Sequence, residues 1–178
     1  MKYLIMTEGE CEKGILDAIL EKNLLKYEQQ ELFYEQIFHL RQIRDKQIIM
    51  FNQLPKNEMV TIIRVGDTLT DELKIPRDIK NKVVEIIDIY TKPELEMIYI
   101  IHKNKFNEFI KIKSKVKASI FLKQIDDTYE KTYDYHYNYF MNLSNEEIYN
   151  LLKKYDLKRG KTHAKKDTSL SYLLKKGD

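Results

Sequence analysis

The side chains whose spacing most suggests chemistry are carboxylates. Glu8 follows a short apolar run, Tyr3-Leu4-Ile5-Met6, and stands in Thr7-Glu8-Gly9-Glu10-Cys11-Glu12, where Gly9 lets the backbone turn tightly beside it. Asp67 follows Val60-Thr61-Ile62-Ile63-Arg64-Val65-Gly66, the clearest β-branched run, and Asp71 and Glu72 come soon after. If the two runs are neighbouring strands, these acids converge at one end of a sheet, where α/β proteins bind their ligands. Several carboxylates without a cationic partner are costly unless a cation neutralises them. Mg²⁺ commonly takes one or two carboxylates with water and phosphate oxygens. Glu8, Asp67 and Asp71 are therefore candidate ligands for Mg²⁺ (or Mn²⁺) acting on a phosphodiester. The same residues also suit capping, with Glu8 and Glu10 at a helix start and the aspartates in a turn. Both readings stay open at this point.

The elements that must position these acids can be read from periodicity. Residues 3–6 and 60–65 are expected strands, with a third near 86–90. Residues 10–25 place Ile15, Leu16, Ile19 and Leu20 on one helical stripe. Residues 29–50 continue the pattern with Leu32, Phe33, Ile37, Leu40 and Ile43, and are expected as a second helix. Leu54-Pro55-Lys56-Asn57 is a turn, and 66–78 is polar and irregular. Thr91-Lys92-Pro93-Glu94 has the form of a helix start, predicting a helix through Ile101 with Thr91 as its cap. Glu96 then either points to the sheet end or pairs with a lysine, and a structural role is favoured. Residues 106–112 and 116–124 are expected helices, and Ser144-Asn145-Glu146-Glu147 opens another, to about Tyr155. The expected fold is α/β: a small Rossmann-like sheet covered by helices, spanning 1–125. A Tyr-rich segment, a helix and a basic C-terminal extension, 126–178, pack on or extend the same domain.

Composition narrows the classes. With 178 residues, 43% apolar and 33% charged, the chain is long enough for one cored domain. It has no apolar stretch approaching the ~20 residues of a membrane span, and its opening apolar run is too short for a signal peptide. The single cysteine, Cys11, excludes a disulfide framework and a Cys-based zinc site, which points to a reducing, cytoplasmic location. His39, His102, His136 and His163 lie far apart without ligand spacing. The net charge of +3 is uneven: residues 1–100 carry 14 Lys and Arg against 18 Asp and Glu, and residues 101–178 carry 17 against 10.

A basic second half suits a phosphate-bearing partner. Lys111, Lys113, Lys115, Lys117 and Lys123 are candidate nucleic-acid contacts, with an ordinary solvated face as the alternative. From Lys153 onward nine Lys and Arg stand against three Asp, a tail expected to fray or to order on a partner. Tyr133, Tyr135, Tyr137 and Tyr139 alternate as on one side of a strand; core packing or a homodimer interface is the commoner use of such rings, base stacking the rarer.

Three segments carry a family resemblance. Glu8-Gly9-Glu10-Cys11-Glu12 after an apolar strand resembles the E-G-x-x-[D/E] opening of Toprim domains, the fold of topoisomerases, primases and several nucleases. Val65-Gly66-Asp67-Thr68-Leu69-Thr70-Asp71 stands where such domains carry D-x-D-x-[D/E]. Lys92-Pro93-Glu94-Leu95-Glu96-Met97-Ile98-Tyr99-Ile100-Ile101-His102 is similar to the N-P-x-F-E-x-W-x-L-L-H segment of RloB-like proteins of bacterial defence and abortive-infection loci. The resemblance implies a Toprim-like Mg²⁺-dependent nuclease in phage defence or mobile-element biology, with Glu8 as general acid/base and Asp67 and Asp71 holding the metal. Leu69 replaces the middle acid of the D-x-D pattern, and Glu12 is one methylene longer than the usual Asp. These departures favour the alternative, a catalytically inactive Toprim-like module that binds nucleic acid or a partner protein, such as a phage or prophage regulator or inhibitor. A homodimer, or a partner protein of a defence system, is also consistent with the resemblance.

Overall fold

The first apolar run and the β-branched run are hydrogen-bonded neighbours. β1 (Lys2–Thr7) and β3 (Val60–Gly66) pair in parallel, from Lys2 opposite Val60 to Thr7 opposite Val65. With β2 (Phe38–His39) and β4 (Val83–Tyr90) they make one parallel sheet in the order β2-β1-β3-β4. The computed structural model describes residues 1–69, 71–92, 94–158 and 169–175. The α-helices are α1 (Glu10–Glu21), α2 (Asp45–Gln53), α3 (Met97–His102), α4 (Phe106–Ile112), α5 (Ala118–Ile125), α6 (Tyr133–Met141) and α7 (Asn145–Lys158). This is an α/β, Rossmann-like architecture.

Strand alternation sends successive side chains to opposite faces, and both faces here are covered. Ile5, Ile63, Val65 and Ile89 join a large core with α1, α3 and α7. Leu4, Met6, Val60 and Ile62 join a second core with Phe33, Phe51 and Ile79. Double coverage is the usual state of parallel sheets and explains why the two central strands read as continuous apolar runs. Each fully buried aliphatic chain contributes about 1.5–3 kcal/mol. Among the described residues no helix is long and apolar enough to cross a membrane.

Four sequence expectations are corrected. Residues 29–50 are not one helix: short 3₁₀ turns at Gln29–Glu31 and Phe33–Glu35 lead into β2, and α2 begins only at Asp45. Tyr34 and Glu35 take positive φ of 51° and 57°, a conformation that no continuing right-handed helix contains. Leu32, Phe33 and Ile37 are buried as the apolar spacing requires, but by an irregular segment wrapped over the sheet.

The helix after β4 starts late, at Met97. Thr91 is held by the sheet instead: its N–H donates to the Gly66 carbonyl (3.0 Å) and its hydroxyl to Glu12 Oε1 (3.2 Å). Glu94 accepts from the Ala118 N–H at 3.2 Å, serving the start of α5 rather than its own segment.

Tyr133 to Tyr139 lie on a helix, α6, whose cap is Thr132 accepting from the Tyr135 N–H at 3.3 Å. The rings pair at four-residue spacing. Tyr133 and Tyr137 stack at 5.7 Å and donate to Asp17 and Glu21 of α1, while Tyr135 and Tyr139 pack on Tyr99 of α3.

The described end of the basic tail is docked rather than frayed. Leu170, Leu173 and Leu174 are buried, Lys26 N–H donates to the Leu173 carbonyl and Lys175 N–H to the Leu24 carbonyl, both at 2.8 Å. The tail lysines Lys161, Lys165 and Lys166 lie outside the described residues. The capping box at Ser144 is formed: Ser144 N–H donates to Glu147 Oε2 at 2.7 Å and Glu147 N–H to Ser144 Oγ at 3.2 Å.

Candidate functional site

Because β1 and β3 are adjacent and parallel, their carboxyl ends deliver Glu8 and Asp67 to the same edge of the sheet. Glu8 continues the ladder by one bond, its N–H donating to the Val65 carbonyl at 2.8 Å. Its carboxylate accepts from the Thr68 N–H at 3.1 Å and faces Arg41 Nη2 at 3.5 Å. Asp67 accepts from the Thr68 hydroxyl at 2.6 Å. One loop residue thus ties both acids. Two glycines make room for this: a Cβ at Gly66 would strike Glu8, and a Cβ at Gly9 would come 2.5 Å from Glu12 Oε2.

Glu8 and Asp67 open onto a cleft of about 850 Å³ whose lining includes Glu12, Glu96, Arg41, Lys117, Lys131 and His136. Such a volume is in the range of small-ligand sites. Glu12 is buried, and burial pushes its carboxyl above the ordinary carboxylate range; the negative charges of Asp67 and Glu8 act in the same direction. Glu96 does both things the sequence allowed: it lines the cleft and accepts from Lys131 at 3.4 Å and from the Tyr129 hydroxyl at 3.0 Å.

Asp71 is placed elsewhere. It lines a smaller cavity of about 210 Å³ with Arg41, Gln42 and Arg64, and its carbonyl accepts from Arg64 Nη2 at 2.8 Å. Glu8 borders both spaces and Asp67 only the larger one, so the structure does not bring Asp67 and Asp71 together around one point. Among the described residues, no three His, Cys, Asp or Glu side chains are grouped as metal ligands. Glu8 and Asp67 share the lining of the larger cleft with Glu10, Glu12, Glu94 and Glu96.

The five candidate lysines are exposed, and one of them, Lys117, lines the acidic cleft. Lys123 lines a shallower, mostly apolar depression beside Ile120 and Tyr129. Lys111 lies in the last turn of α4, and Lys113 and Lys115 on the connection to α5.

Sequence reasoning missed four contributors to this cleft. Arg41 and His39 come from the segment expected to be helical; His39 Nε2 lies 3.2 Å from the Glu8 carbonyl. Lys131 and His136 come from the tyrosine segment. The strand Phe38–His39 that places the first pair is two residues long, too short to show a period in the sequence. Cys11 also lines the cleft, but burial, reinforced by Glu12, pushes its thiol up to about 11, so it stays protonated and is no nucleophile near neutral pH.

No protein-family model matches the chain, and comparison with curated proteins and with solved structures gives no match.

Proposed function

We propose that this protein is a Toprim-like, metal-dependent nuclease of the RloB-like kind, acting on nucleic-acid phosphodiesters in the cytoplasm as part of phage defence. The observation that carries the reading is the delivery of Glu8 and Asp67, from the ends of two paired parallel strands, to one ligand-sized cleft. Glu8 and Asp67 would hold Mg²⁺ (or Mn²⁺), which when bound supplies Lewis-acid stabilisation of the phosphoryl oxygen. Glu8 is also the proton-handling group. Its carboxylate is oriented by the Thr68 N–H and partly screened by Arg41, so it is fixed in place yet borders the cleft. Arg41, Lys117 and Lys131 give the cleft the cations that a phosphate backbone needs.

The test is cleavage of single- and double-stranded DNA and RNA with Mg²⁺ or Mn²⁺. Glu8→Gln and Asp67→Asn are each expected to lower the rate at least a hundredfold while leaving the unfolding midpoint within a few degrees. Undiminished cleavage in both variants rejects the assignment. A second reading is favoured by Leu69 in place of an acid and by the separation of Asp71 from Asp67: a nucleic-acid-binding module without turnover. It predicts salt-sensitive binding with no metal-dependent cleavage by the wild-type protein.

A further inference from the structure

The two cavities that meet at Glu8 lie on opposite faces of the sheet. Ile63 and Val65 of β3 face the core that holds α1, so alternation turns Arg64, between them, to the other face, beside Met6 of β1. Met6 and Arg64 line the smaller cavity, whereas Cys11 and Glu12 of α1 line the larger cleft. Glu8 and Arg41 border both spaces and form the crest between them.

Arg64 is the one charged residue of β3, and it is only 8% exposed. Burying a guanidinium is costly unless its donors are used, and it carries five of them. Among the described residues one hydrogen bond is made, from Nη2 to the Asp71 carbonyl at 2.8 Å. Its acidic neighbour on β4, Asp88, stands 3.5 Å from Nη1, and Asp88 Oδ1 is buried with no hydrogen-bond partner. Burial pushes the Asp88 carboxyl up, and Arg64 only opposes that rise. Arg64 is therefore a weakly paired buried cation on the wall of a cavity of about 210 Å³.

Arg41 is the second cation of that wall, with a largely exposed side chain 3.5 Å from Glu8. The two acids of the lining leave the space open to an anion. Glu8 is held by the Thr68 N–H and by Arg41, and Asp71 is exposed and offers Arg64 its carbonyl. Two guanidinium groups against two carboxylates suit a singly charged occupant with several acceptor oxygens. A phosphodiester has that charge and matches the guanidinium fork. A nucleic-acid strand supplies phosphodiesters in series, so one phosphate in the larger cleft brings the next across Glu8 and Arg41.

We propose that the smaller cavity is a phosphate subsite for a nucleic-acid strand, in which Arg64 and Arg41 hold the phosphodiester next to the one at Glu8 and Asp67. The subsite rests on the reading of the larger cleft as a nucleic-acid site. It adds the course of the strand, which crosses the carboxyl end of the sheet over Glu8, from the side of α1 to the side of α2.

The test is binding of a fluorescent single-stranded octanucleotide, as DNA and as RNA, in EDTA over a range of salt, so that neither metal nor turnover enters. Each phosphate contact on a single strand contributes about 0.7 to the slope of log affinity against log salt. Arg64→Gln and Arg41→Gln are each expected to lower the slope by about that amount. Each should also weaken binding about tenfold, the lower end of what charge-assisted hydrogen bonds contribute. A wild-type slope in Arg64→Gln overturns the subsite. Since Arg64→Gln also takes away the donor to the Asp71 carbonyl, the decisive companion measurement uses the wild type. The Arg64 Nε–H resonance should shift with the octanucleotide. An unmoved resonance, or one that moves with inorganic phosphate but not with the octanucleotide, overturns the subsite. Metal-dependent cleavage by the wild type with that resonance unmoved removes the subsite alone. A lowered slope in Arg64→Gln without any cleavage by the wild type removes the nuclease reading alone, and no binding by the wild type removes both.

Discussion

Gly66 and Glu8 approach so closely that a Cβ at position 66 would stand 2.6 Å from Glu8 Cβ and 2.5 Å from Glu8 Oε2. The glycine ends β3, and the glutamate leaves β1 beside it, so the two strand ends share one small volume. Glu8 Cβ is tied to backbone and cannot swing away. Gly66→Ala is therefore expected to displace the carboxylate from the Thr68 N–H and to destabilise the fold by about 1–3 kcal/mol, the usual range for overpacking. Urea denaturation measures the second effect and nucleic-acid cleavage or binding the first. A variant unchanged in both would show that the strand ends relax without cost.

Glu12 gives the cleft a pH signature. Its carboxyl is held above the ordinary carboxylate range, by burial first, with Asp67 and Glu8 adding to the shift and the Thr91 hydroxyl opposing it. A raised acid binds its proton more tightly in the folded chain than in the unfolded one. Its ionisation therefore costs stability, progressively, as pH rises from the unfolded carboxylate pKa, near 4.5, to the raised folded one, and no further above it. Glu12→Gln abolishes that loss while keeping an oxygen for Thr91. The variant is expected to gain stability over wild type as pH rises from 4 to 7, with little difference at pH 4. Thermal unfolding across that range measures it, and a constant difference at all pH values would contradict the burial argument.

The parts of this arrangement that were legible in the sequence are those set by local pattern. β1 and β3 are apolar, β-branched runs, Ser144 and Glu147 stand at capping-box spacing, and Gly9 and Gly66 flank the acids. The acids were found because they follow strands. What was hidden depends on contacts distant in sequence. Thr91 has the spacing of a cap but donates to Glu12, 79 residues away. The tyrosines alternate as in a strand, yet α6 forms because Tyr133 and Tyr137 find Asp17 and Glu21 on α1 while Tyr135 and Tyr139 find Tyr99. Period two and period four coincide over so short a tyrosine run, and tertiary partners decide between them. Likewise, nothing local separates Asp71 from Asp67; Arg64 does so by holding the Asp71 carbonyl.

Lys82 is one of the few buried charges, at 9% exposure, and its ammonium works as a cap for another element. It donates to the carbonyls of Phe51, Leu54 and Pro55 at 3.0, 2.8 and 3.2 Å, just where α2 ends and its last carbonyls lack helical partners. Lys82→Met keeps most of the apolar stem and removes all three bonds. Charge-assisted bonds of this kind are worth about 1.5–3 kcal/mol, and the carbonyls left behind are partly buried. A loss of about 2–3 kcal/mol in urea unfolding is expected, with cleft function retained. A loss below about 0.5 kcal/mol would mean that water replaces the ammonium fully.

Gly14 supplies the sharpest sign test, because two general rules oppose each other there. A glycine inside a helix such as α1 costs about 1 kcal/mol relative to alanine, so Gly14→Ala ought to stabilise an isolated helix. In this fold a Cβ at position 14 would meet the Tyr133 carbonyl oxygen at 2.6 Å, the Tyr137 nitrogen at 3.2 Å and His136 Cβ at 3.3 Å. Two of these are backbone atoms of α6 and cannot rotate aside, so α1 and α6 must separate. Overpacking of this kind costs about 1–3 kcal/mol, enough to offset the helical gain, and net destabilisation is expected. The displaced helix also carries His136, which lines the cleft. A more stable Gly14→Ala protein would show that the helices move apart freely, and the backbone contact would then have no part in positioning His136.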